Sequence, residues 1–293
     1  IYGQSVCPDE INHEKGGLCS SMADYWGECF PMGGIGGAPY VGKTGFGAFS
    51  GHVPDDGHVL ILFGPHIAIS DEGELGKCLR AGQSKKSGAC GAVLAAYDSC
   101  CKGNEHEFDM KDMQQWWLKE QVQRAMPKIQ NAAIPTLELI QVAYESVREK
   151  LLTIVNNDFG SGHLVLIGGI QINMPKPYED HFQPLMFELR RRDGSCEDLL
   201  SGMRMPATIK MSANIPDIRI GIQQILAWAN LTPSHDSPCN ITMQRCFRGA
   251  VPGALLIKRL ATILEEFDLT PENTIYGQSV CPDEINHEKG GLC

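Results

Sequence analysis

Two unbroken apolar runs stand out in the pattern of hydrophobic and polar positions along this chain. His58 to Phe63 (HVLILF) is closed by Gly64-Pro65 and reads as a buried strand ending in a turn. His163 to Asn173 (HLVLIGGIQIN) is a second strand, apolar enough to be covered on both faces. Phe182 to Leu189 reads as a third, with Pro184 demoting its first half. Helical periodicity appears in Met110 to Ile129 and Ile134 to Val155, with a break around Asn131 to Pro135. Leu255 to Phe267 has apolar residues at 256, 260, 263, 264 and 267, one face of a helix laid on a core. Gly91 to Tyr97 reads as a small-residue helix and Asp71 to Arg80 as a short helical turn. Met32 to Gly47 carries seven glycines, which predicts a loop rather than a helix or strand. Leu231 to Gly249, polar and broken by Pro233 and Pro238, is the best linker candidate.

A repeat changes this picture. Residues Ile1 to Cys19 return letter for letter as Ile275 to Cys293. A cloning scar would produce that; the preferred reading is a window cut from a tandem array of near-identical units. The expected organisation is then a body over 1–235, a linker over 236–250, and the N-terminal helix and start of the next unit over 251–293. Net charge is −10 and the longest basic run is Arg190-Arg191-Arg192, which argues against nucleic acid or an anionic membrane as partner. No window approaches 18 uninterrupted apolar residues, so no membrane span is predicted. The twelve cysteines lack the spacing of a disulfide scaffold and read as thiols or metal ligands.

Three positions could carry chemistry: Cys7 (or its copy Cys281), His66 and Cys90. Two thiolates and an imidazole suit zinc and leave a fourth position for water. Cys90 opens a predicted helix, where the dipole favours thiolate. Asp9 or Asp283, two residues after the repeated cysteine, could orient that water or a basic residue. Spacing alone does not specify the set, since 59 and 24 residues separate the three. From spacing alone a turn histidine bonded to backbone and a buried apolar thiol are the favoured readings of His66 and Cys90. Gly37-x4-Gly42-Lys43-Thr44 satisfies the phosphate-loop expression, but no apolar strand precedes it and later glycines discourage the helix that should follow. No Gly-x-Ser-x-Gly elbow supports a serine hydrolase.

Several stretches together resemble the limiting-carbon-dioxide-inducible protein B family of algae, the theta-type carbonic anhydrases. They are Pro252-Gly253-Ala254-Leu255, Glu272-Asn273-Thr274-Ile275, Cys281-Pro282-Asp283-Glu284, the Gly-Gly-Ile-Gly-Gly loop, Gly64-Pro65-His66-Ile67-Ala68-Ile69, Ala89-Cys90-Gly91-Ala92 and Gly168-Gly169-Ile170-Gln171-Ile172-Asn173. The resemblance implies an α/β fold like the beta-class carbonic anhydrases, with a mostly parallel central sheet flanked by helices. It implies Zn2+ held by Cys7 or Cys281, His66 and Cys90, with Asp9 or Asp283 beside the metal. The activity implied is reversible hydration of CO2 to bicarbonate in an algal carbon-concentrating mechanism, with CO2 and bicarbonate as substrates. A chloroplast location (stroma, pyrenoid or thylakoid lumen) and a homodimer or pseudo-dimer of tandem units come with it. The beta class places an arginine two residues after the aspartate; Ile11 stands there, so Arg80 or Lys43 would supply the positive partner. The alternative is a non-catalytic zinc protein of the same system that binds bicarbonate or a partner.

Overall fold

The two apolar runs lie side by side as parallel strands, and the sheet grows outward from them. The structure, a computed structural model, describes residues 22, 24–27, 29–80, 83–103, 107–156, 158–203 and 233–280. In chain order the strands are β1 (Phe30–Pro31), β2 (His58–Gly64), β3 (His66–Ala68), β4 (Lys77–Cys78), β5 (Ser87–Gly88), β6 (Leu164–Asn173), β7 (His181–Arg190), β8 (Cys196–Asp198), β9 (Val251–Pro252) and β10 (Thr274–Val280). The α-helices are α1 (Gly42–Ser50), α2 (Gly91–Cys101), α3 (Met113–Gln130), α4 (Pro135–Leu152), α5 (Leu200–Met203), α6 (Pro238–Cys246) and α7 (Gly253–Glu265).

The main sheet runs β1-β10-β2-β6-β7-β8, with β3 also on β6 and β9 on β7. Along β1-β10-β2-β6 every pairing is parallel, as is that of β3 with β6, and those made by β7 are antiparallel. The chain is therefore an α/β fold with a mostly parallel central sheet flanked by helices. All seven residues of β2 and all ten of β6 are buried, as expected of strands covered on both faces. The period of two divides the core. Val59, Ile61 and Phe63 face the layer that holds α1 to α4 and α6. Leu60 and Leu62 face α7, which lays Leu256, Leu260 and Leu264 on the sheet.

Three local readings change, each for a packing reason. The glycine-rich stretch is not all loop: α1 forms over Gly42–Ser50 because Phe46 and Phe49 are buried on one face. Phe49 also meets Phe30 with ring centroids 5.1 Å apart. Burying two aromatic rings outweighs a propensity cost of about 1 kcal/mol per glycine. Residues 71–80 do not form a helical turn, since Gly73 and Gly76 adopt φ +80° and +81°, which an α-helix excludes. The chain folds back there in a β-bridge between Ile69 and Leu75, then pairs β4 with β5.

The stretch expected as linker, 236–250, holds α6. Ser237 caps it by accepting a hydrogen bond from the Asn240 N–H at 3.4 Å, Pro238 fills its first turn, and Cys239 and Met243 are buried. The start of the C-terminal repeated segment, for which no element was predicted, is a strand, β10, enclosed between β1 and β2. Pro184 is accommodated where the β6–β7 register shifts: Gly168 pairs with Met186 and Gly169 with Pro184, leaving Leu185 in a bulge.

Leu260 is fully buried at the centre of the α7 face. Leu260→Ala is expected to cost about 2–5 kcal/mol, read as a lower urea midpoint with unchanged slope.

Candidate functional site

The site is built where β2 runs out. Gly64 has φ +144°, and a Cβ placed on it would lie 1.8 Å from the Gly169 carbonyl oxygen, so only glycine fits. Pro65 follows, and its carbonyl accepts the Gln171 N–H at 3.0 Å. The strand then resumes in the same register as β3, with His66 opposite Gln171. Val280 of β10 pairs with Gly64, and β3 continues along β6 beyond that point.

His66 is wholly buried. Its Nδ1 lies 2.7 Å from Asn173 Oδ1. The Asn173 Nδ2 donates to Asp180 Oδ2 at 3.1 Å, which fixes the amide: its oxygen faces the histidine. An amide oxygen only accepts, so His66 carries its proton on Nδ1 and keeps the lone pair on Nε2. Asp180 is held in turn by the Met174 N–H, donated to Oδ1 at 3.0 Å. Burial lifts the Asp180 carboxyl to about 6, against the opposing pull of its hydrogen bonds to Met174 and Asn173 and the Lys176 charge. Its neighbour His181 is pushed down to about 4, also by burial.

Cys90 is the N-cap of α2 and is 2% exposed. Backbone bonds lace its approach to β3: the Ala68 N–H donates to Ala89 O at 3.1 Å, Gly76 N–H to Ala68 O at 2.7 Å and Ala89 N–H to Gly76 O at 3.2 Å. His66 and Cys90 therefore stand on two segments tied by direct hydrogen bonds. Arg80 reaches the same segment. It donates to Ser87 Oγ and, at 3.2 Å, to the Gly88 carbonyl, which fixes the cation on the strand that leads into Ala89-Cys90.

The glycine loop closes over the end of β2. Gly37 has φ +82°, and a Cβ there would lie 2.3 Å from the Gly64 carbonyl oxygen. Gly36 rests on the Val93 and Leu118 side chains, and the Ile35 N–H donates to Gln114 Oε1 at 2.7 Å.

The structure thus places His66, Cys90 and Arg80 on adjoining segments joined by hydrogen bonds. It does not bring Lys43 to them. Lys43 is exposed on α1 and lines a shallow cavity with Asn156 and Asp158, ahead of the first residue of β6. His66 pairs with Gln171, seven positions beyond the first residue of β6. Although a helix does follow the phosphate-loop pattern, contrary to the sequence expectation, no strand leads into it: a short 3-10 turn and extended residues precede α1.

Cys7, Asp9, Cys281 and Asp283 lie outside the described residues. Among the described residues no group of three or more His, Cys, Asp or Glu side chains is arranged to hold a metal. Asn173 and Asp180 were not singled out from the sequence. The available signal was two polar residues, Gln171 and Asn173, at alternate positions of an otherwise apolar strand, where burial demands partners.

The profile of the limiting CO2-inducible proteins B/C beta carbonic anhydrases matches residues 1–191. The chain belongs to that family. Among solved structures, the crystal structure of PtLCIB4, a homolog of the limiting CO2-inducible protein LCIB, is similar at TM-score 0.56 and 30% identity, covering 60% of this chain and 76% of that one. A single-substitution mutant of PtLCIB4 gives TM-score 0.55 at 30% identity, covering 66% and 80%. No curated protein matches. No helix among the described residues is long and apolar enough to cross a membrane.

Asp180 and His181 shift in directions whose effects on stability oppose each other. A carboxyl raised from 3.8 to about 6 binds its proton more tightly in the folded state, so its contribution is full below pH 4 and is lost as pH rises through 6. A histidine lowered from 6.5 to about 4 adds stability as pH rises over nearly the same window. Asp180→Asn removes one side of the balance. Apart from a constant offset for altered hydrogen bonds, its stability relative to wild type is expected to rise by up to about 3 kcal/mol between pH 4 and 6, measured by urea titration at successive pH values.

Proposed function

We propose that the chain catalyses reversible hydration of carbon dioxide to bicarbonate at a zinc site formed by His66, Cys90 and the cysteine of one Cys-Pro-Asp-Glu copy. The observation that carries this reading is the orientation of His66. A histidine that serves only packing has no need of a fixed tautomer, whereas a metal ligand needs its lone pair held on one nitrogen and its other nitrogen bonded. The residues fit zinc: a buried imidazole with its lone pair on Nε2 and a buried thiol on the adjoining segment are the donor types zinc takes. Bound there, zinc would supply a Lewis acid that makes hydroxide available from water near neutral pH.

The chain's own residues do the rest. Asn173, anchored by Asp180, keeps His66 in its binding tautomer. Gly37 lets the loop backbone lie against the end of β2, where any side chain would fill the space. Val93 and Leu118, packed under Gly36, keep the loop's surroundings apolar. Arg80 places a fixed positive charge beside the Cys90 segment, where it favours the bicarbonate anion and can pair with Asp9 or Asp283. The setting proposed with this activity is the algal chloroplast, with the protein working as a dimer.

Stopped-flow CO2 hydration on zinc-loaded protein tests the reading. His66→Ala and Cys90→Ala are each expected to lose more than about 100-fold in kcat/KM together with tightly bound zinc, whereas Asn173→Ala weakens zinc binding by about 10–100-fold. A folded, zinc-containing wild type with no hydration activity would show that the site serves a binding role instead.

A further inference from the structure

On the antiparallel side of the sheet a cavity of about 430 Å³ lies between α4, β7 and the turn from β8 into α5. That volume suits a small organic molecule. Leu185, Met186, Phe187 and Leu200 make part of its wall apolar. From α4 come Tyr144 and Arg148, four residues and so about one helical turn apart on the same face.

Both of these side chains lack a polar partner among the described residues. Tyr144 is 6% exposed, and its hydroxyl is buried with no hydrogen bond. Its ring lies parallel to that of Phe63, with centroids 6.1 Å and planes 8° apart, which holds it in place. A buried hydroxyl left unbonded is a cost to the fold, and a ligand that bonds it recovers that cost. Burial pushes the phenol well above its ordinary range, against the pull of Arg148 and with Glu188 and Glu145 adding to the rise. The group is therefore a proton donor at neutral pH.

Arg148 is unmatched for a different reason. The acidic residues around the cavity are engaged with other groups. Glu188 accepts from Arg190 at 2.8 and 3.1 Å, Glu145 lies 3.6 Å from Lys128, and Asp198 accepts the Leu200 N–H at 2.9 Å. None of the three pairs with Arg148. A guanidinium offers a planar fork of donors that matches the two oxygens of a carboxylate. The nearby carboxylates of Glu145 and Asp198 disfavour anions of higher charge.

We propose that this cavity binds a small organic carboxylate, its head group held by Arg148 and the Tyr144 hydroxyl and its apolar body against Leu185, Met186 and Leu200. The hydroxyl is shut from solvent, so the head group reaches it by turning a lining side chain aside. Leu185, 39% exposed at the bulge of β7, has the room to move. Nothing in this site draws on the zinc reading.

Hexanoate is the probe, with hexylamine and inorganic phosphate as contrasts, followed by titration calorimetry on the full chain with and without a zinc chelator. Hexanoate is expected to bind with a Kd of about 1 mM or tighter. Hexylamine and phosphate should bind at least about 10-fold more weakly, and the chelator should change nothing. Arg148→Gln is expected to weaken hexanoate by more than about 10-fold and Tyr144→Phe by about 10-fold. Tyr144→Phe should keep the thermal midpoint at or above the wild-type value, because the hydroxyl it removes has no partner to lose. Binding of hexanoate that is undetectable at about 10 mM, or that neither substitution weakens, would overturn the proposal. So would binding abolished by the chelator, which would place the carboxylate on a metal. A preference for hexylamine would overturn it too, making the cavity a cation site read by Glu145 and Asp198.

Discussion

Three backbone segments meet at Gly64 more closely than any side chain allows. β6 approaches from one side through the Gly169 carbonyl, and the glycine loop from the other through Gly37. That contact sets where β2 pauses, and hence where His66 starts. It also holds the loop beside the histidine and keeps β3 in register with the end of β6, where Asn173 waits. A methyl group at 64 would have to displace β6, and the link from His66 through Asn173 to Asp180 would go with it. The glycines in the family stretches Gly64-Pro65-His66 and Gly168-Gly169 are thus the structural precondition of the imidazole, not flexible joints beside it.

The parts legible in the sequence were those with strong periodicity. β2, β6, α3, α4 and α7 follow from apolar pattern alone, because each buries enough surface to settle its own conformation. Where the residues were small or polar, tertiary contacts decided. α1 exists for Phe46 and Phe49 despite three glycines, and α6 for Cys239 and Met243 within a polar stretch. β10 gave little signal: Ile-Tyr-Gly-Gln-Ser-Val alternates weakly, and its neighbours in the sheet lie far off in sequence. At the site, His66 and Cys90 were candidates by residue type and place and were joined into one set through resemblance, but Asn173 and Asp180 were not named. A hydrogen-bonded chain between residues 66, 173 and 180 has no local spacing to betray it.

The Glu179-Asp180 pair deserves its place in any account of the site. The Glu179 side chain and the Asp180 carbonyl hold the first turn of α7, while the Asp180 carboxyl holds Asn173 and, through it, His66. Two adjacent residues therefore fasten the helix that leads into β10 and orient the imidazole at the end of β3. Burial raises Glu179 as it does Asp180, in keeping with carboxylates spent on structure.

The position of β10 also governs when the fold can close. Its partners on β2 lie 216 residues earlier in the chain, yet it sits inside the sheet and not at a margin. During synthesis β2 is made early, and the edge that β10 covers in the finished fold waits until α7 has docked. Contacts of such sequence separation are slow to form, and an open strand edge invites pairing with other chains. Chaperone demand during translation should accordingly concentrate on the interval before residues 253–280 emerge.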